Sequence, residues 1–290
     1  MKILILGGTG QVGFELQRSL SVLGKISAPV RNELDLGSSI AVEAYLNKFR
    51  PDLIVNAAAW TAVDAAEENQ QCCKRLNVEL PEQLAEYVAN NNGKLVHYSS
   101  DYVYPGDGTE AWQESSITGP LNVYGQTKLN GDLAIKNSGA KYLIFRTSWV
   151  YSARGNNFMK TMLRLAESKT ELNVVADQFG APTPARLIAA LTTLAVYKNI
   201  ESGIYHLCPR GETSWHGFAQ AIFTVAKQTG KNLSMGSENV RAIATSDYPT
   251  PAKRPLNSRL AITKLEQALE IQLPDWQSQL VVTLKEYLEK

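Results

Sequence analysis

The first thirteen residues place the strongest constraint on the fold. Lys2 to Leu6 is a short run of isoleucine and leucine after one lysine, and it reads as a strand buried in a parallel sheet. It runs directly into Gly7-Gly8-Thr9-Gly10-Gln11-Val12-Gly13, and an amphipathic stretch to about Leu23 follows. Strand, glycine turn and helix in that order form the start of a dinucleotide cradle. The glycines permit a tight turn and let a pyrophosphate approach the backbone at a helix N-terminus. Gly7, Gly10, Gln11, Val12 and Gly13 are therefore candidate cofactor contacts. A purely structural turn is the competing reading; the setting between strand and helix favours the cradle.

The same alternation continues. A second strand is expected over Lys25 to Val30, and its end is where the adenosine ribose is read. An acidic residue there favours NAD. This chain has Arg31, which can pair with a 2′-phosphate, so NADPH is the expected cofactor and NADH stays open. The alternative for Arg31 is an exposed loop charge. Asp35 and Leu36 come next and can reach the adenine edge. A helix is expected from about Ser38 to Phe49, with Ser38 or Ser39 as its cap, then a third strand, Leu53 to Asn56, running into Ala57-Ala58-Ala59. Those small residues either leave room for a cofactor or let a helix pack close. A long helix over Cys72 to Asn91 and a fourth strand over Lys94 to Tyr98 complete the pattern. The fold class is α/β: a Rossmann-type, doubly wound parallel sheet. A dinucleotide-binding domain over about 1–170 is expected, with a smaller, mainly substrate-binding lobe over about 171–290, the two interleaved in sequence.

The fourth strand leads into Ser99-Ser100-Asp101-Tyr102, at the sheet edge that also carries the glycine turn. Tyr124 and Lys128 follow on the next predicted helix, four residues apart and so on one face. Alone, such a pair is commonplace on a solvated helix. Joined to Ser100 and a cradle, it makes a site for carbonyl and alcohol redox chemistry. Serine hydrogen-bonds the substrate oxygen, tyrosine carries the proton, lysine holds the cofactor ribose, and the nicotinamide carries hydride. A neighbouring ammonium is expected to pull the phenol down from its usual range.

Composition excludes several other classes. Net charge is +1 over 290 residues, which gives no electrostatic case for nucleic acid or an anionic membrane. The three cysteines, two of them adjacent, offer neither a disulfide framework nor a zinc pattern; they suit a reducing compartment, and a cytoplasmic address is expected. The three histidines are scattered, which argues against a metal cluster or a histidine-based triad. No apolar run approaches the roughly 18 residues of a membrane span.

In the second half, a fifth strand over Lys141 to Thr147 ends at Ser148-Trp149, again at the cofactor edge. Trp149 can stack on a sugar ring or sit in the core. Helices are expected over Asn156 to Ala166, Pro184 to Lys198 and Ser214 to Thr229, and strands over Glu171 to Ala176 and Gly203 to Cys208. Gln178 to Thr183 reads as a loop. Ser246 to Pro255 holds three prolines and cannot be regular structure. Arg254 in that loop can pair with a diphosphate or simply face solvent. Two helices close the chain, about Ser258 to Leu269 and Asp275 to Glu289.

These motifs together resemble the extended short-chain dehydrogenase/reductase family, and more narrowly its dTDP-4-dehydrorhamnose reductase branch. The likeness runs through nearly the whole chain: Gly7 to Gly13, Asn56 to Ala59, Thr61 to Glu67, His97 to Tyr104, Pro120 to Lys128, Arg146 to Tyr151, Gly155 to Phe158 and Gln178 to Thr183. The resemblance implies NADPH-dependent reduction of a 4-keto nucleotide sugar. It implies Tyr124 as proton donor with Lys128 beside it, Ser100 at the substrate oxygen, and Gly10, Gln11 and Val12 along the pyrophosphate. It sets Asp35 and Leu36 near the adenine and Ala59, Trp60 and Thr61 along the cofactor. Ser100, Asp101 and Trp149 are implied sugar-nucleotide contacts, with Tyr102 and Arg254 on the same side. Epimerases and dehydratases of the family are the runner-up. Dehydratases usually carry a second acidic residue where Tyr102 stands, so elimination is disfavoured. A regulatory subunit of the methionine adenosyltransferase beta type is a third reading, against which the intact Ser100, Tyr124 and Lys128 argue. Some family members dimerise around magnesium held by glutamates. Glu15 and Glu286 fall at matching positions, but Arg186 stands where another carboxylate is needed. No metal is therefore expected, and the oligomeric state is left open, a homodimer being one possibility.

Overall fold

The computed structural model describes residues 1–289. Six parallel strands form the central sheet, in the order Gly203–His206, Lys141–Thr147, Lys94–Ser100, Leu53–Asn56, Lys2–Leu6, Lys25–Ser27. The chain goes from the first strand to one neighbour, then crosses back to the other, so the winding reverses at Lys2–Leu6. Ligands of open α/β sheets bind at the carboxyl ends of strands beside such a reversal. The register aligns those ends: Leu6 lies opposite Asn56, Asn56 opposite His97, and Ser100 opposite Thr147.

The apolar strands are buried on both faces, and their period of two divides them between two cores. Ile3, Ile5, Val55 and Phe145 pack beneath Leu16 of helix Gln11–Ser19 and Leu187, Ile188 and Leu191 of helix Ala185–Tyr197. Leu4, Leu6, Ile54 and Ile144 pack beneath Val42 and Leu46 of helix Ser39–Phe49 and Leu84 and Val88 of helix Leu80–Asn90. Ser38 caps its helix by accepting from the Ala41 N–H.

A third core joins helices Phe158–Ala166, Trp215–Gln228 and Trp276–Leu288 through Met159, Phe218, Ile222, Trp276 and Leu284. A parallel pair, Leu172–Val175 with Val240–Ile243, lies beside it. The sixth sheet strand comes from beyond residue 200, so the sheet draws on both halves of the chain.

Several elements depart from the sequence reading. The second strand stops at Ser27 rather than Val30. The fourth continues to Ser100 because Ser99 and Ser100 still pair with Arg146 and Thr147. The long helix expected over Cys72 to Asn91 is divided into Gln70–Lys74, a π-helical turn Arg75–Glu79, and Leu80–Asn90. Pro81 has no N–H to give to the carbonyl of Asn77, which loosens the turn at that point. The stretch Gln178 to Thr183, expected as a loop, holds a two-residue strand at Phe179–Gly180 and the start of another at Thr183–Pro184. The proline-rich segment after the short turn Thr245–Asp247 is irregular as expected.

Candidate active site

The glycine turn is built by close approach. Gly7 has a φ of +78°, and a Cβ there would lie 2.7 Å from the backbone of Ala57. A Cβ on Gly13 would lie 2.1 Å from the Gly7 carbonyl oxygen. Gly13 thus seats the helix on the strand and is not among the residues that line the cavity. Gly10 is the N-cap of helix Gln11–Ser19 and supplies no side-chain cap, leaving the first amides of the helix facing the ligand space. Gly7, Gly10, Gln11 and Val12 line a cavity of about 1360 Å³ that extends along the sheet edge. An uncapped helix start behind a glycine turn fits a dinucleotide pyrophosphate.

Arg31, Asp35 and Leu36 line one end of this cavity, with the Arg31 side chain exposed. Asp35 Oδ1 accepts from the Gly37 N–H at 2.9 Å, which shapes the loop. Ala59, Trp60 and Thr61 line its flank. Two supporting residues were not singled out from the sequence. Arg75 lines the same end and donates to the Leu36 carbonyl at 3.1 Å. Asn77 is fully buried and grips Trp60 by both backbone groups: its Oδ1 accepts from the Trp60 N–H at 2.9 Å, and its Nδ2 donates to the Trp60 carbonyl at 3.1 Å. Nothing in local pattern marks an asparagine inside a helical run for that task.

Ser100, Tyr124 and Lys128 all line this cavity, and the Ser100 hydroxyl hydrogen-bonds the Tyr124 phenol. Ser100 ends the fourth strand; its Oγ donates to Asp101 Oδ1 at 3.0 Å and accepts from the Tyr102 N–H at 3.2 Å. Tyr124 and Lys128 lie on helix Val123–Asn137, capped by Asn122, whose Oδ1 accepts from the Gly125 N–H at 2.8 Å. Gly125 lets this helix come close, since a Cβ there would meet the Tyr102 carbonyl oxygen at 2.3 Å.

The electrostatics correct one expectation. The Tyr124 phenol is pushed up, not down: burial dominates, and a hydrogen bond with Ser100 offsets it only in part. Lys128 gives the phenol little help because its Nζ is engaged elsewhere, donating to the Tyr98 carbonyl at 2.6 Å and lying 3.1 Å from His97 Nε2. Burial lowers Lys128 to about 8. Tyr124 is therefore firmly protonated at neutral pH, the state a proton donor needs.

On the far side, Asp101 and Tyr102 line the cavity beside Ser100. Asp101 is buried, burial raises its carboxyl to about 6, and its Oδ2 has no hydrogen-bond partner. The Tyr102 ring meets Tyr124 edge-on, with centroids 5.4 Å apart, and burial pushes its phenol up to about 12. Trp149 lines the cavity with φ at +49°, and its indole stacks on Trp215 with centroids 3.8 Å apart. A Cβ on Gly180 would lie 2.9 Å from that indole, so glycine makes room for it. Trp215 also lines the cavity and was not singled out from sequence; the signal was an aromatic directly after the helix cap Ser214. Arg254 does not line the cavity. It stands behind Tyr102, its Nη1 3.5 Å from that hydroxyl and its Nη2 donating to Asp64 Oδ2 at 2.6 Å.

Arg186 occupies the place between Glu15 and Glu286, its Nε 3.4 Å from the first carboxylate and its Nη2 2.9 Å from the second. Among the described residues no group of three or more His, Cys, Asp or Glu is placed to hold a metal ion.

The RmlD substrate binding domain family matches this chain over residues 1–289. A dTDP-4-dehydrorhamnose reductase of Shigella flexneri is 47% identical over 285 residues, covering 96% of this chain and 95% of that one. The protein of the same description from Burkholderia thailandensis is 43% identical, with all of both chains covered. Among solved structures, the dTDP-4-dehydrorhamnose reductase of Bacillus anthracis in complex with NADP has a TM-score of 0.91 at 32% identity, covering 98% of this chain and 99% of that one.

Proposed function

The chain belongs to the RmlD substrate binding domain family, and we propose that it uses NADPH to reduce the C4 ketone of dTDP-4-dehydro-β-L-rhamnose to dTDP-β-L-rhamnose, the last step of dTDP-L-rhamnose synthesis. The observation that carries this reading is the meeting of Ser100, Tyr124 and Lys128 on a cavity whose one end is an uncapped glycine turn and whose other end is aromatic and acidic.

Bound in the cradle, NADPH supplies the hydride that reaches C4. Gly10, Gln11 and Val12 hold its pyrophosphate at the helix N-terminus, Gly7 and Gly13 keep that turn tight, and Arg31 takes the 2′-phosphate. Asp35 and Leu36 border the adenine, Ala59, Trp60 and Thr61 flank the cofactor, and Lys128 holds its ribose. Tyr124 gives its proton to the forming alkoxide at the C4 oxygen, and Ser100 Oγ donates a hydrogen bond to the same oxygen. Asp101 takes a sugar hydroxyl with its unpartnered oxygen, Trp149 covers a pyranose face, and Arg254 braces Tyr102 on the nucleotide side. In this reading residues of about 1–170 hold the cofactor and those of about 171–290 mainly shape the substrate side.

The same reading takes the enzyme as cytoplasmic, in keeping with its unpaired cysteines, and as a homodimer, which light scattering on the purified protein checks. No helix of the described residues is long and apolar enough to cross a membrane. A reaction with NADPH and the keto sugar, read by NMR, is expected to yield dTDP-L-rhamnose with a new hydrogen at C4. Unreduced ketone recovered from folded, NADPH-binding protein contradicts the reading.

A further inference from the structure

The aromatic wall of the cavity is a pair of indoles held in unequal ways. Trp149 has a φ of +49°, a conformation costly for a bulky side chain and kept only where the surroundings over-determine it. Its backbone is tied on both sides. Ser148 Oγ donates to the Ala181 carbonyl at 3.2 Å, and the Trp149 carbonyl accepts from the Thr183 N–H at 3.2 Å. These bonds fix where the side chain leaves the backbone and leave the indole to its packing. The indole face meets Trp215, with ring centroids 3.8 Å apart and planes 12° from parallel. Trp215 is the anchored member of the pair. It opens helix Trp215–Gln228, whose cap Ser214 accepts from the Gly217 N–H at 3.0 Å. The Phe158 ring packs on it at 4.7 Å. Its Nε1–H donates to Gln178 Oε1 at 3.1 Å, Gln178 Nε2 donates to Thr245 Oγ1 at 3.1 Å, and that hydroxyl donates to Asp177 Oδ1 at 2.6 Å. A carboxylate only accepts, so the series runs in one direction and fixes which way the Gln178 amide points.

We propose that Trp215 is a positioning residue for the sugar nucleotide: anchored through Gln178, it holds the Trp149 indole as a fixed wall of the site. The proposal rests on the reading above that this side of the cavity takes the sugar nucleotide. A ring already held in one orientation gives up less freedom when a ligand packs on it, so the stack serves affinity. With their centroids 3.8 Å apart the two indoles admit no third ring between them, and the face of Trp149 away from Trp215 is the one left for a pyranose. Trp215 therefore acts through Trp149. A residue that acts through another has no further effect once that other is removed.

The test is a double-mutant cycle read by binding. Titration calorimetry measures dTDP-L-rhamnose, the product in this reading, and separately NADPH, on the full-length wild type, Trp149→Ala, Trp215→Leu and the double variant. Trp215→Leu is expected to weaken dTDP-L-rhamnose about tenfold and to leave NADPH within about twofold. In the Trp149→Ala background the same change is expected to add less than about twofold. Losses that multiply overturn the proposal, because Trp215 would then touch the ligand itself or support the fold at large. Trp215→Phe keeps a ring face and is expected to stay within about threefold of wild type; a loss as large as that of leucine overturns it. The stack has its own signature, an exciton couplet in far-ultraviolet circular dichroism. The couplet is expected in wild type and lost in each single variant, and a wild type without it overturns the proposal. Should Trp215→Leu not fold, Gln178→Leu frees the Trp215 N–H and keeps both rings. It is expected to weaken dTDP-L-rhamnose about threefold with NADPH unchanged, and an unchanged sugar-nucleotide affinity overturns the proposal. Wild type that binds NADPH but not dTDP-L-rhamnose fails the reductase reading and this proposal with it. Wild type that binds both, with losses that multiply, fails this proposal alone.

Discussion

Arg254 and Asp64, 190 residues apart in the chain, are joined by a 2.6 Å hydrogen bond behind the substrate side of the cavity. The Arg254 side chain is 18% exposed and Asp64 41%, so the pair adds little to stability on its own. Its consequence is positional, because the same guanidinium lies against the Tyr102 hydroxyl, and Tyr102 packs edge-on to Tyr124. Arg254→Ala is expected to raise KM for the sugar nucleotide about tenfold with a smaller effect on kcat, the size expected for losing one charge-assisted contact. Asp64→Asn keeps an acceptor and should move KM in the same direction by less. Steady-state kinetics with the cofactor saturating check this; a fall in kcat at unchanged KM in both variants contradicts it.

Asp101 makes stability depend on pH. Its folded value of about 6 lies above the ordinary 3.8, so the folded chain keeps a proton that the unfolded chain has released. The contribution of this group is therefore full below about pH 4 and is lost as pH rises through 6. The difference is about 3 kcal/mol. Asp101→Asn cannot ionise, so its stability relative to wild type should be more favourable at pH 8 than at pH 4 by roughly that amount. Urea unfolding at the two pH values measures it, and an equal difference at both would contradict the assignment.

Arg31 is exposed at the end of the cavity lined by Asp35 and Leu36. If it takes the 2′-phosphate, Arg31→Ala should raise KM for NADPH about tenfold and leave KM for NADH within twofold. Equal changes for both cofactors would assign the 2′-phosphate elsewhere, and Arg75, which lines the same end, would be the first candidate.

How much of this was legible in the sequence follows from how local each feature is. The first strand, the glycine turn and the Ser38 and Ser214 caps are short-range patterns, and they stand where the residues put them. Tyr124 and Lys128 share a helix face by spacing alone. What escaped is tertiary. Trp215 meets Trp149 across 66 positions, Asn77 grips Trp60 by its backbone, and Asn56 reaches His97 only through strand register. The downward shift expected for the tyrosine failed for the same reason: spacing gave the neighbour but not the burial, nor the carbonyl that takes the lysine's hydrogen. Val240–Ile243, absent from the sequence reading, is a four-residue strand with two exposed positions, too short and too polar to stand out.

The central claim is that this chain is a reductase whose proton donor is Tyr124. The most direct measurement is the initial rate of NADPH oxidation at 340 nm with dTDP-4-dehydrorhamnose generated in situ, run on wild type and Tyr124→Phe side by side. The account predicts substrate-dependent oxidation by the wild type and a loss of about 10²-fold or more in a variant that still binds NADPH. Wild-type protein that is folded and binds NADPH yet shows no substrate-dependent oxidation would contradict the reductase, and a fully active Tyr124→Phe would remove the tyrosine from its role.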